Sequence, residues 1–214
     1  MKFIVFVEGY TEEAILGDFL GRCMKAHFPE GKSVGIKTVR FDGWAAIHRD
    51  VAKHAKLYLN GPDREKIVAV ISLIDLYGPT IYPAEKQSIV DRHAWGVKHM
   101  QEKVNDPRYR HFFAVHETEA WLLSDPAIFP PKAHDALKPL RNRPETVNND
   151  EPPAKRLETI YRSKLNRSYD KVTDGKNLFP KLQPQPALAA CPYLKQMVDE
   201  MVELATTYQT KKKT

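Results

Sequence analysis

Cysteine is nearly missing from this chain. Cys23 and Cys191 are the only two among 214 residues, and neither has a zinc-like neighbour spacing. That excludes a disulfide framework and a cysteine zinc site, and both thiols read as reduced and packed. The eight histidines form no His-x-x-x-His pair and no His/Cys cluster, which excludes the common zinc signatures. Long apolar runs are also lacking. The first, Phe3 to Val7, is too short for a signal-peptide core or a membrane span, so a cytoplasmic protein with no membrane contact is expected. Neither a P-loop sequence nor Gly-x-Gly-x-x-Gly occurs, which excludes those two routes to ATP and dinucleotides. There is no internal repeat, and the only biased tract is the terminal lysine run.

Positive charge is in modest excess. Lys plus Arg is 33 and Asp plus Glu is 27, a net charge of +6, with a pI near 9.2. This suits a polyanionic partner. Part of the excess is Lys211, Lys212 and Lys213, expected to be a frayed end.

The apolar periodicity predicts alternating strands and helices. Residues 2–8 read as a buried parallel-type strand, 34–41 as a second, 66–75 as a third and 110–116 as a fourth. Between them lie helix patterns from Thr11, a plausible N-cap, to about Phe28, at Trp44 to Leu59, and at 85–104. Pro29, Gly31 and Ser33 break the first of these. A short helix or turn is expected at 118–124. Beyond Pro126 the chain becomes proline-rich, with a short helix near 132–138, a helical stretch at 154–165, irregular sequence at 168–186 and a terminal helix at 192–208. The β-α-β-α-β order implies an α/β fold, a mainly parallel sheet with right-handed crossovers. The expected organisation is a core over 1–125 and a loop-rich, helical extension over 126–214 packed on the same domain.

Three of the strand patterns end in acid: Glu8, Asp75, and the pair Glu117 and Glu119. Carboxyl ends of parallel strands are where ligands and catalytic groups collect. Magnesium takes hard oxygen ligands and needs only a few carboxylates. These four are therefore candidate metal ligands, with Glu12 able to reach back as a further one. In extended geometry Glu117 and Glu119 would face the same side. For Glu12 and Glu13, ordinary first-turn helix charge is the simpler account. Of the basic residues, Lys155, Arg156 and Lys171 could fold over the acidic edge and neutralise a phosphorane-like charge. His116 is expected to be packed or exposed rather than part of the site. The three tryptophans are expected in core or interface rather than as base-stacking platforms.

The stretch Val7-Glu8-Gly9-x-Thr11-Glu12-Glu13 resembles the opening of TOPRIM-type domains, found in topoisomerases, primases and overcoming-lysogenization-defect nucleases. More closely, the chain resembles a bacterial family of unknown function, number 4276, regarded as TOPRIM-like. The resemblance continues at Asp75-x-Tyr77-Gly78, at HETEAWLLSDP over 116–126, and at Pro153-Ala154-Lys155-Arg156. It appears again at Tyr169-Asp170-Lys171 with Gly175, and at Cys191-Pro192. It implies a Rossmann-like sheet whose strand ends hold Mg2+ or Mn2+, with Glu8 as metal ligand or general acid/base. The usual Asp-x-Asp is here Asp75-Leu76-Tyr77, so its second acid is missing, and Glu117 with Glu119 could replace it. The function implied is a metal-dependent nuclease on DNA or RNA, an effector in bacterial defence with an ATPase partner and with a homodimer left open. The alternatives are a non-catalytic nucleic-acid-binding or ATPase-docking subunit, and phosphotransfer on nucleotides.

Overall fold

The computed structural model describes residues 1–28, 33–146 and 151–212. The break expected at Pro29 and Gly31 and the Lys213 end of the tail lie outside these residues.

Strand β1 (Lys2–Val7) sits inside a four-stranded, all-parallel sheet. Its neighbours are β2 (Gly35–Arg40) on one side and β3 (Ile67–Asp75) on the other, with β4 (Tyr109–Ala114) beyond β3. Residues 3–7 are fully buried because the sheet is covered on both faces. Phe3, Val5 and Val7 join one core, while Ile4 and Phe6 join the other. This two-residue alternation explains why the strand reads as an unbroken apolar run.

Helix α1 (Tyr10–Lys25) covers the first face and α2 (Trp44–Leu59) with α3 (Ile89–Val104) the second. The strand order β2-β1-β3-β4 places a topological switch between β1 and β3. The crevice at such a switch, outside the carboxyl ends, is the site this architecture provides.

Some boundaries differ from expectation, for local reasons. α1 begins at Tyr10 with Gly9 as N-cap, so Thr11 lies inside the helix and is buried. α3 begins four residues later than expected, where the Ser88 hydroxyl accepts the Asp91 N–H at 3.0 Å. β4 ends at Ala114, two residues early, and His116 follows in a left-handed conformation with φ 67°.

The described residues beyond β4 are mainly helical and pack largely on the α1 face. They include α4 (Glu119–Leu123), α5 (His134–Leu137), α6 (Pro153–Leu165), α7 (Lys171–Leu178), α8 (Pro184–Ala190) and α9 (Pro192–Lys211). Helix α7 and the start of α8 occupy sequence expected to be irregular. α7 is two turns long with Gly175 in the middle, and α8 has prolines at 184 and 186. Prolines in a first turn remove only N–H groups that have no helical partner anyway. Gly175 has a packing reason: a Cβ there would lie 2.9 Å from Thr11 Cγ2. The Arg22 guanidinium, on α1, donates to the carbonyls of Phe179 (2.7 Å) and Leu182 (2.6 Å), tying down the chain after α7.

α9 is fixed at its start by Glu145. That buried carboxylate accepts the N–H of Tyr193 at 2.8 Å and of Leu194 at 3.2 Å, the free donors after Pro192. Glu145→Ala leaves both donors unmatched, that of Leu194 buried and that of Tyr193 partly so, and we expect a loss of about 1–3 kcal/mol in unfolding free energy. A urea titration measures it, and an unchanged midpoint would contradict the capping role.

Candidate metal centre at the sheet edge

The end of β1 is wrapped by the link between β2 and α2. Phe41 N–H donates to the Val7 carbonyl at 2.8 Å and Gly43 N–H to the Glu8 carbonyl at 3.1 Å. Gly43 has φ 83°, a conformation side-chain-bearing residues rarely adopt, and it turns the chain directly into α2. The Glu8 carboxylate then crosses the switch point. Its Oε1 accepts the Asp75 N–H at 2.6 Å, stitching β1 to the end of β3. Burial pushes Glu8 up to about 7. The Asp75 N–H opposes this, Glu12 adds to it, and the Trp44 N–H and Lys171 oppose it.

Asp75 is the last residue of β3 and is half-buried. Desolvation raises its carboxyl well above the ordinary value, and the charges of Glu8 and Glu119 raise it further. Lys171 works in the opposite direction.

Glu117 and Glu119 follow the left-handed turn at His116. They are not in extended geometry, because Thr118 is already helical and Glu119 opens α4. Both nevertheless meet Lys171. Lys171 Nζ lies 2.8 Å from Glu117 Oε1 and 3.6 Å from Glu119 Oε2. Glu117 Oε2 also accepts the Ala154 N–H at 2.9 Å, in the first turn of α6. Glu119 is 2% exposed, and burial pushes its carboxyl up to about 7 against the pull of Lys171.

Lys171 is the first residue of α7, capped by Asp170, whose Oδ1 accepts the Thr173 N–H at 2.6 Å. The preceding turn is rigid. Arg167 grips the buried Asp174 with two bonds, at 2.8 and 2.6 Å, and Glu158 accepts the Tyr169 N–H at 2.6 Å. Burial lowers the Lys171 ammonium, but Glu119, Glu117 and Asp75 together raise it above its ordinary value. The result is several carboxylates from three strand ends around one ammonium.

Glu12 reaches back toward Gly9, where a Cβ would come within 2.9 Å of its Oε2, and its charge acts on Glu8, Asp75 and Glu119. The other basic residues lie differently. Arg156 turns to Glu151, with Nη1 2.8 Å from Oε2. Lys155 is exposed, and among the described residues no ion pair joins it to the acids. Two contributors were not anticipated. The start of α2 at Trp44 faces Glu8, and the Tyr169 hydroxyl, in the turn leading to Lys171, is buried without a hydrogen-bond partner among the described residues. The Gly43-Trp44 step after a strand pattern was the available signal for the first.

The donor chemistry fits a hard divalent cation: all are carboxylate oxygens, and three are pushed toward protonation, which a nearby positive charge would reverse. Among the described residues, no three His, Cys, Asp or Glu side chains stand in a metal-holding arrangement. Lys171 supplies the compensating charge in this geometry.

A pH dependence follows. Glu8 and Glu119 have folded values near 7 against an ordinary 4.5. Between those values the folded state holds protons that the unfolded chain has released, so stability falls as pH rises from about 4.5 to about 7. In chelator, the urea midpoint should be higher at pH 5 than at pH 8. Replacing both residues by Gln should flatten that slope, and a slope of opposite sign would contradict the assigned burial.

Comparison with solved structures finds a likeness to the C-terminal region of the Xanthomonas campestris pv. campestris OLD protein. The TM-score is 0.45 at 15% identity, with 97% of each chain covered. Comparison with curated proteins finds no match. The model of one family, the domain of unknown function DUF4276, matches residues 7–202. The chain belongs to that family.

Proposed function

We propose that this protein is a divalent-metal-dependent nuclease that hydrolyses phosphodiesters in DNA or RNA. The observation that carries the reading is the pairing of Lys171 with Glu117 and Glu119 beside the Glu8–Asp75 link at the switch point of a parallel sheet, near enough for Lys171 to act on the charge of all of them. The net charge of +6 and the TOPRIM-like ordering of motifs agree with it.

Glu8, Asp75 and Glu119 are the residues that would hold Mg2+ or Mn2+, with Glu117 beside them. Bound there, such an ion supplies an activated water and a Lewis acid for the phosphoryl oxygen. Glu8 fixes the β1–β3 edge through the Asp75 N–H and orients the acids across the switch. Lys171 balances the carboxylates at rest and, once released from them, binds a phosphoryl oxygen as charge builds there. Glu117 holds α6 and Lys171 together. Lys155 and Arg156, at the start of α6, are candidates for backbone phosphate contact rather than for the reacting centre. By the same TOPRIM resemblance, the protein would act in bacterial defence beside an ATPase subunit.

A second reading is a non-catalytic subunit that binds nucleic acid or docks an ATPase. Two observations favour it. Glu117 is already engaged by the Ala154 N–H, and Tyr77 stands where a second acid would be.

Purified protein with Mg2+ or Mn2+, supercoiled plasmid and structured RNA should show metal-dependent cutting that Glu8→Gln abolishes. Cutting that survives in Glu8→Gln or Asp75→Ala would refute the assignment. Lys171→Met should separate two roles: Mn2+ should bind more tightly by calorimetry, while cutting slows by about 100-fold. Unchanged Mn2+ affinity would remove Lys171 from the cluster's charge balance.

A further inference from the structure

Among the described residues, five large hydrophobic side chains are exposed, and three of them border the acidic edge. Tyr10 (63% exposed) lies two residues after Glu8, Tyr77 (51%) two after Asp75, and Val172 (38%) next to Lys171. Single exposed apolar residues are ordinary on a protein surface. Their gathering at the ends of the adjacent strands β1 and β3 and the start of α7 is not explained by folding, since each gives up burial there.

Tyr10 is also prepared. The Arg40 guanidinium, at the end of β2, lies over its ring, with Cζ 3.9 Å from the centroid. Arg40 is held in place by Asp42 and by Glu13, whose Oε2 is 3.7 Å from Nε. Those acids offset its charge, so Arg40 acts here as a flat surface more than as a phosphate anchor. Tyr77 sits on the loop after β3, and the following Gly78 approaches α2: a Cβ there would be 3.5 Å from Trp44 Cδ1. The acidic edge is therefore flanked by an exposed tyrosine with a stacked guanidinium on the α1 side and by a second exposed tyrosine on the α2 side, the kind of surface on which unpaired nucleobases stack.

We propose that Tyr10, backed by Arg40, and Tyr77 form a base-stacking rim that selects single-stranded or unpaired nucleic acid over duplex. The inference rests on the nuclease reading for the class of ligand, and names the strand state that this site takes. In a duplex the base faces are occupied by neighbouring pairs and are not offered to a tyrosine. In a single strand they are, and bases of one strand can use Tyr10 on one side of the edge and Tyr77 on the other while the backbone between them passes the acids and Lys171.

The test is binding by the full chain, in EDTA and at fixed salt, to an oligonucleotide carrying 2-aminopurine, offered single-stranded and as its duplex. Binding of the single strand should quench the 2-aminopurine, and the duplex should bind less tightly without that quenching. Tyr10→Ala and Tyr77→Ala should each weaken single-strand binding by about 10- to 100-fold and relieve the quenching, whereas Tyr10→Phe and Tyr77→Phe should retain both. Urea melts of the four variants check that they fold. Alanine variants that fold and still bind and quench like the parent would overturn the rim, even if Glu8-dependent cutting is found. So would a parent that binds no single strand, or that prefers duplex. Tyrosine-dependent quenching in a protein that never cuts would support the rim while refuting the nuclease.

Discussion

Like-charged carboxylates crowded at a partly dry edge repel each other and resist ionisation, and this constraint shapes the whole molecule. Glu8, Asp75 and Glu119 each lose hydration, and each feels a like charge: Asp75 feels Glu8 and Glu119, Glu8 feels Glu12, and Glu119 feels Glu117 and Glu12. A fold that brings them together must provide positive charge or N–H donors. This one provides both. The Asp75 N–H serves Glu8, the Ala154 N–H serves Glu117, and Lys171 faces Glu117 and Glu119. Much of the chain beyond Pro126 is arranged to deliver these partners. The Arg167–Asp174 pair, the Asp170 cap and the Gly175–Thr11 contact all locate one ammonium.

Much of the fold was legible in the sequence because β1, β3 and β4 are buried on both faces, whereas β2 at the sheet edge is partly exposed. Phe3 to Val7 and Ile67 to Ile74 read as continuous apolar runs, and helices such as Trp44 to Leu59 show a clear stripe. What was hidden lacks such a stripe. α7 and α8 are short, contain Gly or Pro, and are helical because tertiary contacts hold them, not because of local pattern. Thr11 resembles a cap but is a packing surface for Gly175, a fact that depends on a residue far along the chain.

The candidate site was legible by topology and obscured in its details. That Glu8 and Asp75 lie at the carboxyl ends of strands in one parallel sheet followed from the β-α-β order; that β1 and β3 are neighbours did not. That Glu117 and Glu119 would both meet Lys171 followed from no local rule, since extended spacing gives way to helix at Thr118. Arg156, like Lys171, matched the resemblance in sequence, yet it pairs with Glu151 and not with the acids at the strand ends. Side-chain choice among several basic residues depends on distances that the sequence does not encode locally.

The engagement of Glu117 by α6 has a consequence for dissecting the molecule. The acids of the α/β portion are matched by donors from residues 154 and 171, so the two portions share one set of electrostatic partners. A fragment ending near residue 125 would keep every sheet strand and every carboxylate but lose their compensation, along with the cover over Trp121 and Leu122. The proline-rich segment is therefore not an ornament on a finished domain: the sheet edge is electrically incomplete until the last third of the polypeptide has wound back onto it.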